Sequence, residues 1–472
     1  MAGKSEYMMK HRFDPTILRA YDIRGILDET LTGKDAYAIG VGFAAHIRAR
    51  NGHKVVMGRD GRLSSPMLAD HLAKGLVAGG MHVIDIGVSP TPMLYFADRI
   101  YQADGAIQIT GSHNPPHYNG FKMVIGNLPF YDADITGLGQ MMAEGVDYAD
   151  GGQHDHRDIS DQYITALSTY AGDLGSLGHP SLVWDCGNGA TGPAVEMLTS
   201  ALPGKHQVLF SDIDGKFPNH HPDPVDPETL HLLRQAVADH HAMIGIGFDG
   251  DGDRIGLIDG KGRQVAGDVL TAYLAEGVLR RHPGAEIIFD VKSSSVALDH
   301  VKASGGKPQL WKTGHSHMKM RLKETGALLA GEMSGHLFLA DSWYGFDDAL
   351  LSAVAVLKEM AETGRDITQF VDTLPPVFAT PELRIPCMEA EKFALVDSVT
   401  KAVKTDPDHG MTDINAIDGI RVTTDHGWWL IRASNTGAEL VARAEGNDTN
   451  ARDKLEDSIY HRLQTAGWKN TL

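Results

Sequence analysis

Cysteine is scarce in this sequence. Only Cys186 and Cys387 occur among its 472 residues, and they lie far apart along the chain. Neither belongs to a Cys-x-x-Cys pair or to a Cys/His spacing typical of zinc sites. The sequence therefore offers neither a disulfide framework nor a cysteine-based metal site, and we interpret the two thiols as reduced and mostly buried.

Long apolar runs are also lacking. No stretch approaches the roughly 20 apolar residues that a membrane-spanning helix needs. The opening segment, Met-Ala-Gly-Lys-Ser-Glu, contains no apolar run typical of a secretion signal. We therefore expect a cytoplasmic protein that does not associate with membranes.

Basic residues are outnumbered, with 43 against 61 acidic residues and a formal net charge of −18. Such a surface repels polyanions, so no nucleic-acid partner is expected. If the ligand is a small anion, the positive field that attracts it must be local. Arginines, lysines and helix N-termini around a cleft would supply this field, together with the charge of any bound metal.

A strand candidate, a small-residue loop and a segment of helical periodicity follow one another three times in this chain. The strand candidates of this pattern are residues 55–57, 182–184 and 287–289. Downstream of each, a second apolar run ends in a polar loop, and these runs are residues 106–109, 243–246 and 327–330. Alternating strands and helices favour α/β domains, whose ligand loops lie beyond the carboxyl ends of the parallel strands.

The composition of the sequence changes near residues 374–377, where neighbouring prolines predict a linker. Beyond it, strand candidates at residues 428–431 and 439–442 flank a polar loop and indicate an α+β unit. The length also predicts three or four domains. With softer boundaries near residues 160 and 262, the predicted domains are residues 1–160, 161–262, 263–376 and 377–472.

The sharpest chemical signal is the motif Asp-Gly-Asp-Gly-Asp-Arg, which begins at Asp249 directly after an apolar strand candidate. Its glycines allow turns that bring Asp249, Asp251 and Asp253 to one hard cation, and three carboxylates suit Mg²⁺. An EF-hand fails here, because its sixth position needs Gly where Arg254 stands and its twelfth needs Glu where Gly260 stands. A cation beside a metal site implies an anionic ligand shared by both. The alternative is a solvated acidic turn.

A second signal is Thr-Gly-Ser-His-Asn-Pro at residues 110–115. It does not match the G-x-S-x-G motif of serine hydrolases. His113 is also a poor base for Ser112, because successive side chains on an extended segment point to opposite faces. A serine near a divalent cation can instead carry a phosphoryl group, with nearby cations such as Lys122 neutralising its charge. Taken alone, Ser112 has a simpler interpretation as a turn residue.

Histidine pairs and the C-terminal polar loop give weaker signals. His315 and His317 could ligate a metal, but the sequence has 24 histidines and no clustered third ligand is evident. The loop Arg-Ala-Ser-Asn-Thr at residues 432–436 offers a guanidinium fork and neutral donors suited to phosphate oxygens. A hydrogen-bonded hairpin loop is the alternative.

These motifs resemble those of the α-D-phosphohexomutase superfamily, and within it the bacterial phosphomannomutase/phosphoglucomutase group. The matching segments occur in family order along nearly the whole chain, and they are residues 21–25, 110–115, 249–254, 331–336 and 432–436. The resemblance implies four domains around a central cleft, three of them similar α/β domains with mixed sheets and the last a C-terminal α+β domain. The domains would contribute, in order, the phosphoserine loop, the metal-binding loop, the sugar-binding loop and the phosphate-binding loop.

The resemblance also implies roles for individual residues. Ser112 would be the phosphoserine, and its phosphate would bind Mg²⁺ together with Asp249, Asp251 and Asp253. Catalytic positions around the transferring phosphoryl group would be Arg24, His113, Lys122, Arg254 and His336, beside Ser112 itself. Substrate-binding positions would be Tyr21, Lys292, His315, Glu332, Ser334, Arg432, Ser434, Asn435 and Thr436.

The implied reaction interconverts hexose 6-phosphates and hexose 1-phosphates, of mannose and/or glucose, through a 1,6-bisphosphate intermediate. Glucose 1,6-bisphosphate would serve as activator, and the protein would be a monomer or weak dimer. A related alternative is a phosphoglucosamine mutase, although Gly-Glu-Met-Ser-Gly-His at residues 331–336 favours mannose and glucose phosphates by resemblance. Alternatives of other classes are a metal-dependent sugar phosphatase and a catalytically silent sugar-phosphate-binding protein.

Overall fold

Four large sheets follow one another along the chain in the computed structural model, which describes residues 8–407, 410–435 and 437–469. Three are mixed sheets packed with helices and the fourth is antiparallel. The predicted α/β architecture with a C-terminal α+β domain is confirmed. The exact boundaries at residues 160, 262 and 376 stay predictions. Within the described ranges, no helix is both long and apolar enough to cross a membrane.

The first domain contains a seven-stranded mixed sheet and a small two-stranded sheet. Its strands are β1 Met8–Met9, β2 Ile23–Ile26, β3 Lys54–Arg59, β4 His82–Val88, β5 Gly105–Ile109, β6 Tyr118–Ile125, β7 Leu128–Pro129, β8 Val146–Asp147 and β9 Gln153–His156. Its helices are α1 Gly33–Arg48, α2 Ser65–Ala78, α3 Thr91–Tyr101 and α4 Ala133–Glu144. A capping box formed by Thr32 and Asp35 begins α1.

The second and third domains repeat the layout on a smaller scale. The second contains α5 Ser160–Ala171, β10 Ser181–Asp185, α6 Gly192–Ala201, β11 Lys205–Leu209, α7 His231–Asp239, β12 Ile244–Phe248, β13 Ile255–Asp259 and β14 Gln264–Val265. The third contains α8 Gly267–Arg281, β15 Glu286–Asp290, α9 Ser295–Ala303, β16 Lys307–Trp311, α10 His315–Thr325, β17 Leu329–Gly331, β18 Leu337–Leu339, α11 Ala349–Thr363 and α12 Ile367–Thr373.

The fourth domain is a six-stranded antiparallel sheet with two helices. Its elements are β19 Phe378–Ala379, β20 Leu383–Pro386, α13 Lys392–Thr405, β21 Met411–Asn415, β22 Ile420–Thr424, β23 Gly427–Ala433, β24 Glu439–Gly446 and α14 Thr449–Thr465. The two predicted strands of the C-terminal unit are β23 and β24, and they pair as an antiparallel hairpin. The polar loop between them therefore lies at one end of this sheet.

One strand order recurs in the first three sheets and brings their polar loops together. The order is β4-β3-β5-β6 in the first, β11-β10-β12-β13 in the second and β16-β15-β17-β18 in the third. In each sheet, the third strand of this order is parallel to the second strand, and the fourth strand is antiparallel to the third. The serine loop follows β5, the aspartate loop follows β12 and residues 332–336 follow β17. Each loop therefore lies at the carboxyl edge of its sheet, as predicted.

Candidate active site

Ser112 lies where the first and second domains meet, and it is only 2% exposed. Its Oγ donates a hydrogen bond to Asp249 Oδ2 at 3.0 Å, and its backbone N–H donates to Thr110 Oγ1 at 2.7 Å. Ser112 has φ +48°, in the left-handed region that non-glycine residues rarely adopt. The loop therefore holds this residue in a strained conformation that aims Oγ at the aspartate loop.

The expectation that His113 points away from Ser112 is wrong. His113 Nδ1 lies 3.2 Å from Ser112 Oγ. The expectation assumed an extended segment, whereas the left-handed backbone of Ser112 turns the two side chains toward each other. Burial, followed by the positive charges of Arg254, Arg24 and Lys122, holds the pKa of His113 well below its ordinary value. These cationic surroundings differ from those of a Ser–His–acid triad, whose histidine is paired with a carboxylate.

Arg62 is a buried scaffold of the serine loop that sequence reasoning missed. Its guanidinium donates hydrogen bonds to four carbonyl oxygens of the loop and of the strand that follows, and their distances are 2.7 Å to Ser112, 2.6 Å to Asn114, 2.6 Å to Pro115 and 3.1 Å to Tyr118. Asp60 accepts from Arg62 Nε at 3.1 Å and from Gly111 N at 3.0 Å. Both residues follow β3, which pairs with β5, the strand before the serine loop. The small-residue loop after β3 was therefore the sequence signal that could have indicated this support.

The three aspartates of the second loop converge as predicted. Asp249, Asp251 and Asp253 are fully buried, and one carboxylate oxygen of each lies within 4.8 Å of the others. Asp251 Oδ1 has no hydrogen-bond partner among the described residues, and Asp253 Oδ1 faces His336 Nε2 at 3.3 Å. Burial and the neighbouring carboxylates raise the pKa of Asp249 well above its ordinary value. Buried carboxylates that repel one another, one of them with an unpartnered oxygen, fit a hard divalent cation.

Lys122 and His336 bring positive charge to these carboxylates. Lys122 Nζ donates to Asp251 Oδ2 at 2.8 Å and also to Asp253. Burial opposes the charged form of Lys122, but the three aspartates outweigh it and raise the pKa of this ammonium. Burial likewise opposes the charge on His336. Asp253 favours this charge, because His336 Nε2 lies 3.3 Å from Asp253 Oδ1, and it contributes to raising the pKa of His336 to about 9. Both side chains are therefore cations at neutral pH.

The loop of the third domain presents hydrogen-bonding groups beside these cations. Ser334 Oγ donates to Glu332 Oε2 at 3.1 Å, and His336 Nδ1 lies 3.0 Å from the same oxygen. Gly314 N donates to the other carboxylate oxygen. Burial opposes ionisation, but the hydrogen bond and the charge of His336, followed by the hydrogen bond from Gly314 N, hold the pKa of Glu332 at about 2. Glu332 is therefore a fixed carboxylate acceptor at the cleft wall.

The fourth domain contributes the opposite wall through the loop after β23. Arg432 Nε donates to Asp418 Oδ2 at 2.9 Å. Asn435 Nδ2 donates to the hydroxyl of Tyr21, which in turn donates to the carbonyl of Thr313 at 2.8 Å. Three domains therefore meet in this chain of contacts. The predicted residue Thr436 lies outside the described residues.

A cavity of about 840 Å³ joins these parts. The predicted residues that line it are Tyr21, Arg24, Ser112, His113, Lys122, Arg254, Lys292, His315, Glu332, Ser334, His336, Arg432, Ser434 and Asn435. The aspartates lie beneath this lining. Sequence reasoning missed charged lining residues outside the motifs, and these include Arg19, Asp223, Asp226, Glu382, Arg384 and Glu439. Glu382 pairs with Lys292 at 2.9 Å, which links the fourth domain to the third across the cleft.

A cleft that gathers one polar loop from each of four such domains is the architecture of an α-D-phosphohexomutase. Family models agree with this class. Those for the phosphoglucomutase/phosphomannomutase α/β/α domains I, II and III match residues 15–146, 161–262 and 266–378, and that for the C-terminal domain matches residues 382–462. The chain belongs to the phosphoglucomutase/phosphomannomutase family.

Relatives and solved structures support this membership. A phosphomannomutase/phosphoglucomutase of Pseudomonas putida is 41% identical over 448 residues, covering 95% of each chain. A phosphoglucomutase of Neisseria gonorrhoeae is 39% identical over 93% of this chain and 95% of its own. The crystal structure of a phosphoglucomutase/phosphomannomutase family protein from Burkholderia thailandensis superposes with a TM-score of 0.89, at 40% identity, over 98% of this chain and 99% of that one.

Proposed function

We propose that the protein interconverts hexose 6-phosphates and hexose 1-phosphates, of mannose and/or glucose, through a phosphorylated Ser112 and a 1,6-bisphosphate intermediate. One observation carries the proposal. Ser112 Oγ, from the first domain, is hydrogen-bonded to Asp249 in the second domain, 137 residues away, at the edge of a large polar cleft. A serine beside three buried carboxylates suits a phosphoryl group that shares a cation with them.

The first transfer breaks the bond between phosphorus and Ser112 Oγ and forms a bond between phosphorus and the free hydroxyl of the bound hexose monophosphate. The hydroxyl proton passes, overall, to Oγ. After the bisphosphate turns around, the same step runs in reverse with its other phosphate, which restores phosphoserine and releases the isomer. His113 Nδ1, at 3.2 Å from Oγ, is placed to hydrogen-bond with the serine hydroxyl between the two transfers.

The cations around Ser112 oppose the charge of the phosphoryl group during transfer. Lys122 and His336 are charged at neutral pH, and Arg24 and Arg254 line the same part of the cleft. Asp249, Asp251 and Asp253, with the serine phosphate, would hold Mg²⁺. When bound, this ion supplies Lewis acidity that withdraws charge from the phosphoryl oxygens.

The far side of the cleft must accept the non-reacting phosphate in both orientations of the intermediate. Arg432, Ser434, Asn435 and Thr436 form the loop to which we assign this task. Several donors of modest directionality suit two orientations better than one rigid socket does. Glu332 and Ser334 would bind sugar hydroxyls, together with Lys292, His315 and Tyr21. A cavity of about 840 Å³ is large for a small-molecule site and leaves room for the turn.

Further parts of the proposal concern partners and location. Glucose 1,6-bisphosphate would phosphorylate Ser112 and so activate the enzyme. Hexose phosphates would be its small-molecule partners, with no part for nucleic acid or membranes. The monomeric or weakly dimeric state and the cytoplasmic location stay predictions.

Intact-mass measurement combined with a coupled mutase assay tests the proposal. Purified protein incubated with glucose 1,6-bisphosphate should gain the mass of one phosphate, and Ser112→Ala should not. The same substitution should lower mutase turnover by at least about 1,000-fold, because the covalent carrier is lost. Ser200→Ala, at an exposed serine of the second domain, is the control and should behave like the unchanged protein.

Sugar choice is read from turnover of mannose, glucose and glucosamine phosphates in the same assay. Full activity of the Ser112→Ala protein would disprove the phosphoserine mechanism. Release of inorganic phosphate without an isomeric sugar phosphate would identify a phosphatase instead. Preferential turnover of glucosamine phosphate would overturn the assignment to mannose and glucose.

A further inference from the structure

A cluster of two histidines and one aspartate lies at the edge of the first sheet, apart from the cleft. Strands β4 and β9 pair in parallel there, with Asp85 opposite His156 and Val83 opposite His154. Residues two apart on a strand point to the same face, so Asp85, His154 and His156 share one face of the sheet. His82 and Asp155 lie on the other face, where they form their own hydrogen bond of 2.8 Å.

The polar atoms of this cluster converge on one oxygen. Asp85 Oδ2 lies 3.5 Å from His154 Nε2 and 3.4 Å from His156 Nδ1. The other carboxylate oxygen of Asp85 accepts from Gly87 N at 2.8 Å, which orients Oδ2 toward the two imidazoles. Tetrahedral zinc holds nitrogen and oxygen ligands at about 2.0–2.2 Å, which separates neighbouring ligand atoms by about 3.4 Å. The observed separations therefore match two edges of such a tetrahedron.

The same His-x-His spacing occurs at His315 and His317 but produces no such cluster, and the reason is secondary structure. Those two residues begin helix α10, where residues two apart point to nearly opposite sides. His315 packs on His336, with ring centroids 5.7 Å apart, and His317 packs on Tyr21 at 5.4 Å, a ring that also lies 6.1 Å from His315. A strand converts this spacing into two ligands on one face, and a helix does not.

Solvent can reach the cluster. Side-chain exposure is 13% for Asp85, 33% for His154 and 74% for His156. The next cation along the chain, Arg157, lies over the ring of Tyr101 and 3.8 Å from Asp155. We propose that Asp85, His154 and His156 bind one Zn²⁺-class transition-metal ion, with water in the fourth position. Since β9 leads directly into α5 of the second domain, the ion would fasten this interdomain connection to β4.

Cobalt is the probe for this site, because Co²⁺ in a tetrahedral nitrogen and oxygen site absorbs visible light more strongly than in an octahedral oxygen site. The full-length protein, kept in excess Mg²⁺, should bind one equivalent of Co²⁺ with the tetrahedral spectrum. His156→Ala, at the mostly exposed ligand, and His154→Ala/His156→Ala should lose this spectrum. Affinity should fall by at least about 100-fold, more than the loss that a ligand's supporting hydrogen bond causes.

His82→Ala is the matched control, because it removes an imidazole from β4, the strand of Asp85, on the opposite face of the sheet. It should retain the cobalt spectrum, and Zn²⁺ should raise the thermal midpoint of this control and of the unchanged protein only. Mutase turnover in Mg²⁺ should be unaffected by His156→Ala. Equal cobalt binding by the unchanged and double-variant proteins would overturn the proposal, as would loss of binding in His82→Ala.

Discussion

The junctions between the domains of this protein are of two kinds. At the first, Phe96, Tyr163 and Trp343 come from three different domains and pack together, with ring centroids 5.4 Å and 6.0 Å from Phe96. They belong to or pack against one apolar core that extends through the first three domains. The fourth domain has an apolar core of its own, whose members all lie between Leu383 and Trp468.

The second kind of junction, between the third and fourth domains, has a small apolar cluster of Val291, Trp428 and Leu430 beside several polar contacts. Arg421 donates to the carbonyls of Val291 and Ser293 at 2.7 Å each, and its guanidinium lies 3.6 Å above the Trp428 ring. Glu445 accepts from Ser295 N at 2.9 Å. Separating apolar surfaces costs free energy in proportion to their area, whereas polar partners can be replaced by water. We therefore expect the serine and aspartate loops to form a rigid floor of the cleft, and the loop after β23 to belong to a domain that can move against this floor.

Apart from the loss of Ser112 itself, the largest effect is expected from a substitution of Asp251 in the aspartate loop. Asp251→Asn keeps the shape of the side chain but removes one of three buried charges facing the cation. We expect turnover to fall by about 1,000-fold and the Mg²⁺ requirement to rise, because the charge of the transferring phosphoryl group is less well opposed. Turnover measured across a Mg²⁺ series checks this. Asp239→Asn, exposed at the end of α7, is the control, and an unchanged Mg²⁺ dependence in Asp251→Asn would contradict the assignment.

Two core substitutions test whether the shared core and the fourth domain unfold separately. Leu357→Ala removes a buried side chain from the shared core, and Ile459→Ala removes one from the core of the fourth domain. Each should cost about 2–5 kcal/mol, but in a different unfolding transition. Differential scanning calorimetry should show two transitions, each lowered by one variant only. A single transition lowered equally by both would mean that the junction between the third and fourth domains couples the four domains fully.

Arg62→Lys tests the support beneath the serine loop. Lysine keeps the charge but cannot reach four carbonyls at once, so the loop loses part of the framework that aims Ser112 Oγ. We expect turnover to fall by about 10- to 100-fold with little change in KM, because positioning rather than substrate binding is disturbed.

Single-turnover loss of phosphate from phosphorylated Ser112 to glucose 1-phosphate measures the Arg62→Lys effect directly. Arg50→Lys, at an exposed arginine of the same domain, is the control. If turnover fell only in proportion to the loss of folded protein, Arg62 would support the fold and would not position Ser112.

The smallest effect is expected from a substitution of Arg432, at the end of β23 in the fourth domain. Arg432→Lys replaces a guanidinium fork with a single ammonium, so we expect KM to rise about tenfold with turnover nearly unchanged. Steady-state kinetics with glucose 1-phosphate would measure both, and Arg452→Lys, at a partly exposed arginine near the start of α14, provides the comparison. A larger fall in turnover than rise in KM would show that the loop after β23 takes part in the transfer step. The expected difference between this loop and the aspartate loop would then be wrong.

Sequence reasoning reached much of the fold and of the site because the relevant signals are local. The apolar runs that became β3, β10 and β15, and the polar loops after β5, β12 and β17, are contiguous segments. Glycines between the aspartates predicted convergence on a cation, since they permit the turns within one short loop. Arg62 escaped notice because its role depends on four carbonyl oxygens contributed by other segments.

By itself, the sequence determined the order of the domains, the chemical groups of each loop and the strand ends at which those loops lie, because periodicity and turn residues act over a few positions. Only the tertiary structure decided which groups touch. The left-handed backbone of Ser112 turned His113 toward it, and strand pairing gathered Asp85, His154 and His156 on one face. Contacts between distant segments follow from how whole sheets pack, and no short stretch of sequence records that arrangement.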